Sequence, residues 1–238
     1  MDLTKGQRKD GIKMKDDRKT ELLTGIVLLV CFVIWTMLIR HIDVQKAGSN
    51  GTEIGFATFN VWFHQMTGVH MLIYTITDWL GLVPIIICMC FGFLGLVQLV
   101  KRRSLLKVDS DILLLGVYYV LVILSYLLFE MVPINYRPIL IDGNLEASYP
   151  SSTTLLVLSV MPTLKFQVDR RIKNLMLKNG VTVFVTVFSS FMVIGRLISG
   201  VHWATDIVGS VFLSFGLYMI YKASVIMTDW KGAAIDGV

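Results

Sequence analysis

Charge is scarce in this 238-residue chain: Asp, Glu, Lys and Arg together make up 16% of it, where a soluble domain carries about a quarter. That shortage excludes an ordinary water-facing surface. Cysteine is scarcer still, at three residues, Cys31, Cys88 and Cys90. All three fall inside apolar runs, which reads as small packing residues rather than disulfides or metal ligands. Internal repeats and low-complexity tracts are absent, and no run alternates polar with apolar as an outer-membrane strand would. His64 and His70 stand six residues apart, off a common helix face, with no cysteine or carboxylate companion, so no metal site is read there. The N-terminus is long and mixed in charge, and no small-residue cleavage site follows the first apolar run, unlike a cleaved signal.

What the chain has in quantity is apolar: 55% hydrophobic residues and a mean hydropathy of +0.68. Runs of about 20 apolar residues recur, long enough to cross a bilayer. They predict an all-α integral membrane protein with six transmembrane helices in one bundle, at Leu22–Ile39, Gly81–Val100, Ile112–Met131, Ser151–Val168, Val181–Leu197 and Asp206–Tyr221. Helices are the natural solution because every backbone polar group in lipid must be bonded internally. Pro162 and Lys165 interrupt the fourth run. Residues 1–21 and 222–238 flank the bundle as tails. The net charge of +5 is read by position, as orientation rather than affinity for nucleic acid. With the N-terminus inside, the inner segments hold 18 of the 22 Lys and Arg. That asymmetry predicts a multi-pass protein of the plasma membrane with both termini cytoplasmic.

The outer segment Ile54–Gly81 is apolar and aromatic but broken by polar residues. It reads as interfacial helices with Trp62, Phe63, Tyr74 and Trp79 at headgroup level, a reading compatible with lateral access for a lipid.

The remaining polar residues gather on the extracytoplasmic side. Arg137 lies after the third span, Pro150, Ser151, Ser152 and Thr153 open the fourth, Arg196 ends the fifth, and His202 and Asp206 begin the sixth. Two guanidinium forks suit phosphate oxygens. A helix start at "SYPSSTT", with Ser148 as its cap and Pro150 in its first turn, offers free N–H groups at Ser151, Ser152 and Thr153 to an anion. His202 is a nucleophile or general base if its ring is neutral, and Asp206, one helical turn on, can accept its Nδ1 proton. Each residue alone has an ordinary use, as a snorkelling arginine, an interfacial histidine or a helix cap. Their convergence is what points to chemistry.

These residues resemble the three motifs of the type 2 phosphatidic acid phosphatase superfamily, K-x6-R-P, P-S-G-H and S-R-x5-H-x3-D. Here the third reads "GRLISGVHWATD", with Arg196, His202 and Asp206 at the family spacing and Gly195 in place of serine. The second reads "PSST", and the first retains Arg137 and Pro138. The resemblance extends over about 75 residues, Tyr136 to Ser210. It implies a metal-independent and cofactor-free lipid phosphatase or phosphotransferase. His202 would attack phosphorus to give a phosphohistidine, Asp206 would orient it, and Arg137, Arg196, Ser151 and Ser152 would hold the phosphate of a phospholipid or polyprenyl (di)phosphate. The family lysine falls on Glu130 and the family general acid on Thr153, so Glu130 and Thr153 mark the leaving-group region. Three readings stay open: an enzyme that prefers a diphosphate leaving group or takes its proton from Glu130; a silent relative that binds phospholipid headgroups; and a transporter or scaffold whose cavity these residues line.

Overall fold

The computed structural model describes residues 3–236, with side chains for residues 15–230. The side chains of residues 1–14, which carry much of the expected basic tail, and those of 231–238 lie outside the described residues. In chain order the helices are α1 (Leu3–His41), α2 (Ala57–Thr67), α3 (Met71–Leu80), α4 (Leu82–Arg102), α5 (Ser110–Met131), α6 (Ser152–Arg171), α7 (Leu175–Ile198) and α8 (Ala204–Asp236). Between α1 and α2, strands β1 (Gln45–Lys46) and β2 (Glu53–Ile54) form a small antiparallel pair.

Among the described residues, five segments are long and apolar enough to cross a membrane: Lys15–His41, Met71–Arg102, Ser110–Met131, Leu175–Ile198 and Ala204–Trp230. The chain is an all-α multi-pass membrane protein. The second apolar segment starts ten residues earlier than the sequence predicts, because α3 runs into α4 with only Gly81 between them.

The expected fourth span is α6, an unbroken helix through Pro162 that is too polar to count among the five. The reason is its place. α6 packs against α7 and α8, and Thr153, Thr154, Leu155, Val157, Leu158, Ser159, Val160, Met161, Thr163 and Gln167 are all buried. A helix enclosed by other helices has no lipid to satisfy and can carry polar groups if they are bonded. Tyr118 Oη donates to Ser159 O at 2.9 Å, Tyr119 Oη and Thr163 Oγ1 lie 2.7 Å apart, and Gln167 Nε2 donates to Tyr221 Oη at 2.9 Å. Such interhelical bonds contribute about 0.6–2 kcal/mol each in a membrane. The lipid-facing helices show the converse, with Val27, Ile86, Phe93, Val117 and Val187 exposed.

Each end of α6 is anchored differently. At its C-terminal end, Arg171 NH2 reaches Asp111 at 2.8 and 2.9 Å, and Arg170 pairs with Asp229 at 2.7 and 3.0 Å. These bonds tie α6 to the start of α5 and the end of α8. At its N-terminal end, the α5–α6 connection folds into a hairpin. Tyr136 pairs with Ala147, and Ile141 with Asn144. The tip turns through Asp142 (φ 49°) and Gly143 (φ 78°), the Asp-Gly pairing that a two-residue type I′ turn demands. This hairpin returns the chain to α6 with Arg137 and Ser148 facing the start of α8.

Candidate active site

The site is built where the hairpin, the first turn of α6, the end of α7 and the α7–α8 junction meet. The junction Ser199–Trp203 is fixed from one side by α2 and α3. His64 Nε2 lies 3.0 Å from Gly200 O, and His70 N–H donates to Ser199 O at 3.0 Å. Gly200 has φ 72°, and a Cβ there would stand 2.2 Å from Gly68 O, so only glycine lets the two backbones approach. Asn60, fully buried, bonds Gly55 O at 2.9 Å and Thr205 Oγ1 at 3.0 Å. The segment expected to lie as interfacial helices therefore also buttresses the junction, while Trp62 and Trp79 remain exposed.

His202 is 3% exposed. Its Nδ1 lies 3.1 Å from Ser148 O and 3.8 Å from Asp206 Oδ2. A carbonyl can only accept, so this contact places the proton on Nδ1 and leaves Nε2 as a lone pair. The acceptor expected from the sequence was Asp206; the nearer one is a backbone carbonyl. Asp206 is occupied elsewhere. Its Oδ2 accepts Trp203 N–H at 2.9 Å, reaching back over the first turn of α8 as the acidic half of a capping box does. Its Oδ1 accepts from Asn135 Nδ2 at 3.2 Å.

Burial draws the His202 pKa from 6.5 down to about 4; Asp206 pulls it upward, and the Arg137 and Arg196 charges add to the downward shift. The ring is neutral at pH 7, with Nε2 buried and without a partner.

Both arginines keep donors in reserve. Nε and NH1 of Arg196, and Nε and NH1 of Arg137, are buried without hydrogen bonds, as is Ser151 Oγ. Glu146 Oε2 lies 3.0 Å from Arg137 Nε, off the N–H direction, as an ion pair only. Arg196 NH2 donates to Asp78 Oδ1 at 2.9 Å and to Thr153 Oγ1. The Tyr74 ring lies beside both guanidinium groups, 4.8 Å from Arg196 Cζ and 6.0 Å from Arg137 Cζ. Buried donors left unbonded cost about 1–3 kcal/mol each. A site that gathers several beside a free imidazole nitrogen is shaped for an anion.

The helix start differs from expectation in one detail. Ser151, not Ser148, is the N-cap residue of α6, and Ser148 instead offers its carbonyl to His202. Ser152 and Thr153 occupy the first turn, where N–H groups lack intrahelical partners. Ser210 Oγ reaches both Ser151 O, at 3.0 Å, and Asp206 O, at 2.9 Å, stapling α6 to α8.

The structure thus brings Arg137, Ser151, Thr153, Arg196, His202 and Asp206 to one end of the bundle. Glu130 lines a polar cavity of about 180 Å³ with Arg137, Tyr126 and Ser152. Tyr74, Asp78, Asn135 and the Ser148 carbonyl were not anticipated. Asp78 did carry a signal: it is the only acidic residue between Glu53 and Asp109, and an ionisable residue in an apolar stretch is a site candidate by default.

Residues 117–229 match the PAP2 superfamily. No curated protein sequence matches the chain. The fold is similar to the crystal structure of the first transmembrane PAP2 type phosphatidylglycerolphosphate phosphatase from Bacillus subtilis. The TM-score is 0.60 at 17% identity, over 84% of this chain and 94% of that one. The matched segment holds the hairpin, α6, the arginine at the end of α7 and the His202–Asp206 junction, and this segment of the chain belongs to the PAP2 superfamily.

Proposed function

We propose that this protein is a lipid phosphatase or phosphotransferase that works through a phosphohistidine at His202. The observation that carries the reading is the pairing of a buried neutral imidazole, its Nε2 unbonded, with two buried arginines that each keep Nε and NH1 unbonded. A headgroup binder has use for the arginines but none for an imidazole whose Nδ1 proton is fixed by Ser148 O.

In this reading Arg137 and Arg196, the Ser151 hydroxyl and the Ser152 N–H hold the phosphate oxygens. The Nε2 lone pair forms a bond to phosphorus as the bond to the lipid oxygen breaks. The ring gains positive charge, which Ser148 O and Asp206 stabilise. Water, or another acceptor hydroxyl, then attacks phosphorus, and the P–N electron pair returns to Nε2. No metal or cofactor enters these steps.

A lipid substrate is supported by a groove of about 390 Å³ between α4, α5 and α6. Leu82, Ile85, Val122 and Leu156 make it apolar, and Ser152, Thr153 and Asp78 form its polar end. The basic-residue asymmetry supports an extracytoplasmic site in the plasma membrane with six crossings, α6 included.

The test is phosphate release by purified protein in detergent from a panel of lipid mono- and diphosphates. Turnover that vanishes in His202→Ala is expected. No turnover of any substrate, with phospholipid binding intact, would favour the silent binder.

A further inference from the structure

The motif position assigned to the proton donor holds Thr153, whose hydroxyl is too weak an acid for that work and already accepts from Arg196 NH2. We propose that Asp78, on α3, is the catalytic acid and base on the leaving-group side: it protonates the departing lipid oxygen and deprotonates the water that follows. The proposal rests on the phosphatase reading above.

Placement carries it. Asp78 Oδ1 and Thr153 Oγ1 share the same donor, Arg196 NH2, so the carboxyl lies beside the position where the acid is missing. Asp78 also lines the polar end of the apolar groove together with Ser152 and Thr153. A phosphate on the arginines with its lipid in that groove has its bridging oxygen at this junction. The Asp78 side chain is 57% exposed, free to turn between the arginine and the substrate.

Of the other carboxylates near the site, Asp206 and Glu146 already have partners, and Glu130 does not line the groove. Asp206 is fully buried and bonded to Trp203 and Asn135. Glu146 faces Arg137. Glu130 lines the polar cavity and not the groove.

The approach of α3 depends on a second departure from the motif. Thr77, fully buried, packs against Gly195, and a Cβ at position 195 would stand 2.7 Å from Thr77 Cγ2. Glycine in place of the motif's serine lets α3 come close enough for Asp78, one residue on, to reach Arg196. The serine lost at 195 and the histidine lost at 153 are thus answered by one helix.

The protons balance. A phosphate monoester enters as its monoanion, its oxygens replace Asp78 on Arg196, and its proton passes to the released carboxyl. Nε2 bonds to phosphorus, the P–O bond breaks, and Asp78 gives that proton to the oxygen, which leaves as an alcohol. Water then attacks phosphorus and yields a proton to Asp78, which returns it to the departing phosphate.

The experiment compares two esters, dodecyl phosphate, whose alkoxide must be protonated, and 4-nitrophenyl phosphate, whose phenolate leaves unaided. Followed as release of the alcohol or phenol in a single turnover, before the phosphoenzyme is hydrolysed, the rate in Asp78→Asn should fall by about 10² to 10⁴ with dodecyl phosphate and by less than about tenfold with 4-nitrophenyl phosphate. The surviving nitrophenyl activity reports that the variant is folded. Glu130→Gln should affect both esters alike. Equal losses on both esters in Asp78→Asn, or a selective loss in Glu130→Gln instead, would overturn the proposal and leave the phosphohistidine standing. A wild-type protein that turns over neither ester would overturn both.

Discussion

Replacing Asp206 with asparagine separates two jobs that a histidine's carboxylate partner usually combines, holding the tautomer and supplying charge. The tautomer should survive, because Nδ1–H is held by Ser148 O at 3.1 Å, a backbone group the substitution leaves alone. An amide has one acceptor oxygen. If it keeps the Trp203 N–H bond, Asn135 Nδ2 faces another NH2 group, and that lost buried bond costs about 1–3 kcal/mol of stability. The catalytic loss is the negative charge 3.8 Å from Nδ1. Its attraction for the positive charge the ring gains when Nε2 bonds phosphorus is about 4 kcal/mol at an effective dielectric of ~20 and about 1 kcal/mol at ~80. That range corresponds to a fall in kcat of roughly fivefold to 10³-fold. KM should hold, because Asp206 bonds neither arginine. The assay is phosphate release at saturating lipid phosphate below the variant's melting temperature, beside His202→Ala. If Asp206→Asn were as inert as His202→Ala, the Ser148 carbonyl would not be what fixes the ring. An unchanged kcat would reduce Asp206 to a helix cap.

Two further outcomes are expected. The His202 ring, identified in a ¹³C-histidine spectrum by its loss in His202→Ala, should stay neutral and Nδ1-protonated from pH 8 down to about 5, since burial and both arginines hold its pKa near 4; titration near 6.5 would remove the buried neutral nucleophile. Single cysteines in a background lacking Cys31, Cys88 and Cys90 should label from outside at Asn144, on the hairpin, and from inside at Asn174, between α6 and α7; labelling of both from one side would take α6 out of the membrane-crossing set.

The legible parts of this molecule are those where one physical rule dominates. Hydropathy reports contact with lipid, so the apolar stretches of α1, α4, α5, α7 and α8 stood out, while α6, enclosed by protein, was the weakest of the expected spans. Spacing reports helical register and motif, so Arg196, His202 and Asp206 could be read from one short stretch. Ser148 escaped because its contribution is a carbonyl, which has no side-chain signature. Asn135, Tyr74 and Asp78 escaped because their roles exist only once the hairpin and α3 are packed against the motif residues. The open question over the leaving group has the same origin: Glu130 was the candidate at a motif position, whereas the carboxyl beside Thr153 arrives from a segment with no motif.

The central claim is that His202 Nε2 forms a bond to phosphorus. Rapid mixing with a ³²P-labelled lipid phosphate, a base quench and peptide mapping test it most directly. The account predicts label on the peptide containing His202, stable to base, lost in mild acid, and absent in His202→Ala. Steady turnover with no such adduct, or turnover that persists in His202→Ala, would contradict it.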